Sequence, residues 1–386
     1  MHNLTRRKFL SSVLVSAGGT LAATLAAPLF AQSAAPTLAA RPFNMLVIGD
    51  SIMWGQGLRE EQKFYHQVYR WLETEVFKGV RPVAEPRVFA HSDARIFPAF
   101  SLDRDFVKEN VSNESRLPNP SILFQASTAL SEYKKSAVNG PEKVDLILVN
   151  GGINDFRVER FSQAKLGSAA IEAYARQFCG HGMGLLLRFL ATAFPNARIV
   201  VTGYYLIISK KTDPDFLRNG VLKFALGKKP RHLFNIPFVG ENRGLRNELA
   251  RRSQDWVDYS TRYLGETVTT VNTEFPVEGS GRGHRIVFVP APFGPGNAYG
   301  ASSKTGNEAD RPFLWELNDR LLPEDPMLPS RSLTCAQDRI KGLNYQICKR
   351  AAAFHPNPEG AEAYATAIKA ELQKIIPSTS WASEFS

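Results

Sequence analysis

Ser51, Asn154 and His355 are the residues on which chemistry can be built. Ser51 ends the triplet Gly49-Asp50-Ser51, directly after the apolar run Met45 to Ile48. Asn154 lies in Gly152-Ile153-Asn154-Asp155, directly after the run Val144 to Val149, and His355 opens His355-Pro356-Asn357 near the C-terminus. A serine hydroxyl is a poor nucleophile until a base takes its proton, and imidazole is the side chain that titrates near working pH. Attack on a carbonyl leaves negative charge on its oxygen. Fixed donors such as the Asn154 amide and the Ser51 N–H stabilise that charge, and loss of one donor typically costs about 2.7–4 kcal/mol in the barrier. Singly, the triplet has a plain structural reading as a turn, and the histidine as a hydrogen-bonded structural residue.

The elements that must position these groups follow from the apolar pattern. Met45 to Ile48 reads as a strand buried on both faces, which places Ser51 at its C-terminal end, the edge where ligands bind in open α/β sheets. A helix is expected over 59–77, with Phe64, Val68, Leu72 and Val76 on one face, and a second strand over 86–91 that runs into Ser92 and Asp93. A polar connection (97–120), a helix (122–137) and a third buried strand (144–149) come next. Helical pattern over 166–194, broken near Gly180 to Gly184, leads to a fourth strand over 198–203. The segment 204–240 mixes Lys210, Lys211, Arg218, Lys223, Lys228, Lys229 and Arg231 with apolar residues, and reads as a connection or as a basic, apolar lid. A helix over 242–264, a fifth strand over 284–289, a loop-rich stretch over 290–331 and a last helix close the chain. Asn357 suits the N-cap of that last helix and Pro358 its first turn. Alternating strands and helices argue for a doubly wound parallel sheet.

Composition narrows the class. With 386 residues, of which 44% are hydrophobic, the chain can bury a large core. Thr5-Arg6-Arg7-Lys8-Phe9-Leu10, followed by an Ala/Gly/Ser-rich stretch, reads as a twin-arginine-type signal peptide over residues 1–33, and predicts a periplasmic or secreted protein. Residues 41–386 then form a single domain with insertions around 204–240 and 290–345. The formal charge is +10, but Lys and Arg are scattered among 37 acidic residues, so no nucleic-acid partner is expected; contact with an anionic membrane surface or cell-envelope polymer is compatible with it. No metal-type Cys/His spacing and no phosphate-cradling loop is present, and no cofactor is expected. Of the three cysteines, Cys335 and Cys348 are placed for a bridge closing about 15 residues, worth roughly 3 kcal/mol in the chain-entropy model, and Cys179 stays single.

Taken together, Gly49-Asp50-Ser51, Gly152-Ile153-Asn154-Asp155 and His355-Pro356-Asn357 resemble the motifs of the SGNH hydrolases, the GDSL-type esterases and lipases. The resemblance implies a flavodoxin-like three-layer α/β/α sandwich with a parallel sheet of about five strands. It also implies Ser51 as nucleophile, His355 as general base and the Asn154 amide as an oxyanion donor. Two positions depart from the pattern. Where the family usually carries a glycine whose N–H is a further donor, this chain has Asp93, whose backbone N–H survives but whose carboxylate would repel an oxyanion unless turned away. The usual Asp-x-x-His reads Ala352-Ala353-Phe354-His355, so the imidazole needs another acceptor: the Ala352 carbonyl is the economical one, with Asp338 and Glu359 as alternatives.

The expected function is an exported serine esterase acting on an acetylated glycan, a short-chain ester or a lipid ester. The rival class, supported by Asp93 and Ala352, is a catalytically silent binding protein for envelope glycan or lipid. Trp54 is a candidate pocket wall and Arg157 a candidate contact for an anionic group, although core packing and a surface ion pair are the commoner fates. Because Cys348 precedes His355 so closely, the bridge is expected to brace the histidine loop. Cys335→Ser should therefore lower turnover more than its change in melting temperature accounts for, and unchanged turnover in paired kinetic and thermal measurements would remove that role.

Overall fold

The computed structural model describes residues 41–98, 114, 120–136, 139–163, 165–217, 242–276, 284–301, 310–318, 321–337 and 342–375. Contacts separate residues 1–39 from 40–386, and everything described belongs to the second unit. The expected signal peptide lies outside the described residues, as does the larger part of the basic segment, 218–240.

Five strands form one sheet: β1 (Met45–Ile48), β2 (Arg87–Val88), β3 (Leu146–Val149), β4 (Arg198–Thr202) and β5 (Ile286–Val289). All pairings are parallel and the order is β2-β1-β3-β4-β5. That is the flavodoxin-like order, with its switch point between β1 and β3. Strands β1 and β3 are buried throughout, with Leu46 opposite Ile147 and Ile48 opposite Val149. Covering such a strand on both faces explains its unbroken Val/Ile/Leu content, and each fully buried side chain of this kind contributes about 1.5–3 kcal/mol before entropy is counted.

Right-handed crossovers fix the layers. The chain leaves β1 through α1 (Ser51–Trp54) and α2 (Phe64–Trp71) toward β2 on one side, then returns through α3 (Ile122–Lys135) toward β3 on the other. Opposite directions of travel place α2 and α3 on opposite faces. After β3 come α4 (Ile153–Phe156), α5 (Ser168–Ala175) and α6 (Met183–Ala193); after β4 come α7 (Pro214–Leu217) and α8 (Asn242–Glu274). The helices α3, α6 and α8 pack against one another in sequence, whereas the last helix packs back on α2. Past β5 the chain adds α9 (Leu328–Gln337), α10 (Gly342–Lys349) and that last helix, α11 (Pro358–Ile375). The result is a three-layer α/β/α sandwich.

Several expected boundaries move. Helix is continuous from Ser168 to Ala193, because Gly180 and Gly182 fall in a widened π-type stretch, Arg176–Gly182, rather than in a break. Helix α8 runs to Glu274, ten residues beyond the expected end at Leu264. Helix α9 starts inside the stretch read as loop-rich and α10 lies beyond it, in ground to which no element was assigned; their cysteines, Cys335 and Cys348, are bridged with Cα atoms 6.1 Å apart. Cys179 is free and buried. Asn357 caps α11 as expected, its side chain accepting from the Gly360 N–H at 3.0 Å.

The end of the sheet remote from Ser51 is closed by a buried carboxylate. Asp145 takes both terminal nitrogens of Arg41 (2.9 and 2.8 Å), one of Arg81 (3.0 and 2.9 Å) and the Asn44 N–H (2.8 Å). This ties the first described residues to the start of β3. Asp145→Ala should cost about 3–5 kcal/mol, since it removes the anion that two guanidiniums share in a buried site; urea unfolding measures this, and a loss under about 1 kcal/mol would show the cluster to be dispensable.

Candidate active site

Strand β1 ends at Ile48, and three residues later Ser51 opens the one-turn helix α1. The Asp50 side chain caps that turn by accepting from the Ile52 N–H at 2.9 Å, which commits Ser51 to the first helical position. Ser51 is buried, and its Oγ lies 2.6 Å from His355 Nε2. Their separation of 304 positions is closed by the sheet: β1 delivers the serine from inside the sheet, and the segment before α11 delivers the histidine over the same edge.

The histidine loop is held from both sides of its backbone. The Phe354 N–H donates to the Trp315 carbonyl (3.0 Å), the Trp315 N–H to the His355 carbonyl (2.8 Å), and the Asn357 N–H to the Phe313 carbonyl (2.9 Å). Tyr205, just past β4, donates its hydroxyl to the Phe354 carbonyl at 2.9 Å. Phe354 takes φ 70°, a conformation that a bulky residue keeps only where its surroundings impose it. His355 Nδ1 lies 3.2 Å from the Ala353 carbonyl. The Ala352 carbonyl favoured from the sequence instead accepts the backbone N–H of His355 at 3.0 Å. Of the alternatives, Glu359 is exposed in the first turn of α11 and Asp338 lies outside the described residues.

The turns after β2 and β3 are stitched together. Asn154 Nδ2 donates one hydrogen to the Ala94 carbonyl at 3.0 Å, and among the described residues its second amide hydrogen has no acceptor. Asp155 accepts from the Ile96 N–H at 2.9 Å. Asp93 occupies the turn between His91 and Ala94 with φ 62°, the backbone region that favours glycine. The Ser51 N–H likewise has no acceptor among the described residues. Gly152 has φ 127°, and a Cβ there would lie 3.0 Å from the Cys179 sulfur, so this corner needs glycine for both its backbone and its space. Arg157, exposed and at φ 66°, ends the same turn, whereas Trp54 is half-buried with Lys63 Nζ 3.3 Å over its ring.

Beneath Ser51 lies a polar network that the sequence did not single out. Asp50 accepts from Asn150 Nδ2 at 2.8 Å and from the Tyr204 hydroxyl at 3.2 Å, while its N–H donates to Asn150 Oδ1 at 2.9 Å. The Tyr204 hydroxyl accepts from the Ile153 N–H at 3.1 Å, which links the β1 and β3 turns. Gln125 pairs with both the N–H (2.8 Å) and the carbonyl (3.0 Å) of Gly49. Polar residues ending apolar runs (Asp50, Asn150) were the available signal; Tyr204 and Gln125 gave none.

Burial pushes the Asp50 carboxyl up from 3.8 to about 6, against the hydrogen bonds from Asn150, Ile52 and Tyr204 that favour its anion. Asp155 is pushed up to about 6 in the same way, opposed chiefly by the Ile96 and Phe97 N–H groups. A raised carboxyl favours the protonated folded state, so the stability it contributes is complete below pH 3.8 and is lost as pH rises through about 6. Asp50→Asn should remove roughly 3 kcal/mol of the decline in unfolding free energy across that window, leaving the part due to Asp155. Urea unfolding at pH 4 and pH 7 tests it; an unaltered decline in the variant would contradict the assignment.

Among the described residues no cluster of His, Cys, Asp and Glu could hold a metal ion, and no helix is long and apolar enough to cross a membrane. No family model matches the sequence, and no curated protein does. Among solved structures, the chain is similar to an extracellular lipase from Streptomyces rimosus, with 12% identity over 85% of this chain and 99% of that one and a TM-score of 0.39. It is similar to a phospholipase A1 from Streptomyces albidoflavus NA297, with 12% identity over 86% and 99% of the two chains and a TM-score of 0.39. It is also similar to a family two carbohydrate esterase from Clostridium thermocellum, solved with cellohexaose, with 14% identity over 90% of this chain and 66% of that one and a TM-score of 0.38. In its own sheet order, β2-β1-β3-β4-β5 with all pairings parallel, the fold is that of a flavodoxin-like doubly wound sandwich.

Proposed function

We propose that the protein is a serine esterase that hydrolyses carboxylic esters through an acyl-enzyme. The observation that carries this reading is the 2.6 Å approach of Ser51 Oγ to His355 Nε2 at the C-terminal edge of the sheet. His355 takes the Ser51 proton as the oxygen adds to the ester carbonyl. The oxyanion is met by the Ser51 N–H, the free hydrogen of the Asn154 amide and the Asp93 N–H. Collapse expels the alcohol, which takes its proton from His355. Water activated by the same imidazole then releases the acid and restores Ser51. The Ala353 carbonyl helps fix which imidazole nitrogen carries the proton, and as a neutral acceptor it stabilises the imidazolium less than a carboxylate would.

Residues 1–33 are proposed as a twin-arginine-type export signal, residues 41–386 as one domain with insertions around 204–240 and 290–345, and the site of action as the periplasm or the exterior. The substrate class is an acetylated glycan, a short-chain ester or a lipid ester.

Hydrolysis of p-nitrophenyl acetate by purified variants tests the roles. Ser51→Ala and His355→Ala should each lower kcat by more than about 10³-fold. Asn154→Ala should lower it by about 10²–10³-fold with little change in KM. Asp93→Gly fits the φ of that turn and removes a carboxylate, so it should retain or raise kcat. A wild-type protein inert toward acetyl-sugar and acyl-lipid esters of graded length would favour the binding protein over the enzyme.

A further inference from the structure

A buried charge cluster lies between the serine turn and the helices that lead into the histidine. Glu114 is 2% exposed and Arg331, on α9, is fully buried. The Glu114 carboxylate accepts from Trp54 Nε1 (3.0 Å), from Gln56 Nε2 (2.7 Å) and, at 3.4 Å, from the Gly57 N–H. All of these belong to the turn that follows Ser51. Arg331 Nη1 then donates to Glu114 at 3.0 Å, and its fork closes on Asp325 at 3.0 and 2.6 Å. The remaining nitrogen, Nε, donates to the Lys349 carbonyl at 3.1 Å, at the C-terminal end of α10 and six positions before His355.

The same two segments also touch directly. Gly57 has φ 86°, and a Cβ there would come within 2.6 Å of the Ala352 side chain, so the serine turn and the histidine loop meet at van der Waals distance. One turn past Arg331, Cys335 is bonded to Cys348, next to Lys349. The path from Ser51 through Gln56, Glu114, Arg331 and Lys349 to His355 is thus a ring closed by the Ser51–His355 hydrogen bond. Inside it lies Phe354 at φ 70°, a backbone that needs to be held. The planar guanidinium suits this place because its fork fixes direction as well as charge.

We infer that Arg331, anchored by Glu114 and Asp325, is a positioning residue that sets the register of the histidine loop against the serine turn, so that His355 meets Ser51 in line for proton transfer. It touches no reacting atom and acts through the Lys349 carbonyl and the loop that follows. The inference rests on the proposed hydrolase reading for its kinetic consequence, but its geometric content does not.

The test uses Arg331→Lys, Arg331→Met and Glu114→Gln in the full chain, with two readouts at a temperature where each variant is folded by circular dichroism. Kinetics on p-nitrophenyl acetate should show kcat reduced about 10–100-fold with KM nearly unchanged, as expected for a displacement of the base by under about 1 Å. Arg331→Lys should recover part of the loss seen in Arg331→Met. Nitrogen-15 NMR of the His355 ring should show its titration midpoint displaced by more than ~0.5 pH unit as the contact with Ser51 loosens. A variant whose melting temperature falls while kcat and the His355 titration stay at their wild-type values would overturn the inference, leaving the cluster a support of the fold alone. If the wild-type protein hydrolyses no ester, the functional reading fails, and the NMR comparison still decides the positioning role.

Discussion

One hydrogen bond, between Ser51 Oγ and His355 Nε2, imposes more on this chain than any other contact. Proton transfer needs the two atoms close and aligned, and their elements lie 304 positions apart in the chain. A parallel sheet meets the requirement economically. All strands point the same way, so every turn leaving a strand at its C-terminal end arrives at one edge. Order β2-β1-β3-β4-β5 puts β1 and β3 at the switch point, where the turns diverge to opposite faces and leave a crevice. The serine comes from β1, the asparagine from the turn after β3, and Asp93 from the turn after β2.

Keeping that edge rigid requires polar groups where the core would prefer none. The Asp50, Asn150 and Tyr204 network lies beneath the serine, and the desolvation of buried Asp50 and half-buried Asp155 shows in their raised carboxyls. An unpartnered group here would cost about 1–3 kcal/mol, so the donors and acceptors come in reciprocal pairs, as Asp50 with Asn150 and Gln125 with Gly49. Backbone strain concentrates in the same region. Three of the non-glycine residues at positive φ, namely Asp93, Arg157 and Phe354, lie on turns that carry candidate site residues. Phe354 is held by Trp315 and Tyr205, and the turns after β2 and β3 by the bonds from Asn154 to Ala94 and from Ile96 to Asp155.

The sheet was legible because buried parallel strands are written as continuous apolar runs, and β1, β3, β4 and β5 all fall within the expected stretches. The doubly wound parallel sheet followed from alternation, and the three-layer sandwich was what the motif resemblance implied. Boundaries were less legible where local and tertiary preferences compete: Gly180 and Gly182 read as a break, but packing against α8 carries the helix through in a wider turn. Helices α9 and α10 are short and are tied by a disulfide and by Arg331, interactions that have no local signature. Among the site residues, Ser51, Asn154 and His355 could be picked out because each follows or precedes an element end. Glu114, Arg331 and Asp325 could not, since a charged residue in sequence reads as solvated surface. The 3.2 Å approach of the Ala353 carbonyl to His355 Nδ1 was not legible, because which carbonyl faces that nitrogen depends on the φ of Phe354 and not on spacing.

We propose that the fold activates the Ser51 oxygen by holding it against His355. Reaction of the intact protein with a fluorophosphonate, followed by mass spectrometry of the peptide containing Gly49-Asp50-Ser51, measures this directly. One adduct per chain, located on Ser51, is expected, and none when His355 is replaced by Ala. Folded wild-type protein that takes up no adduct, or whose labelling survives loss of the imidazole, would contradict it.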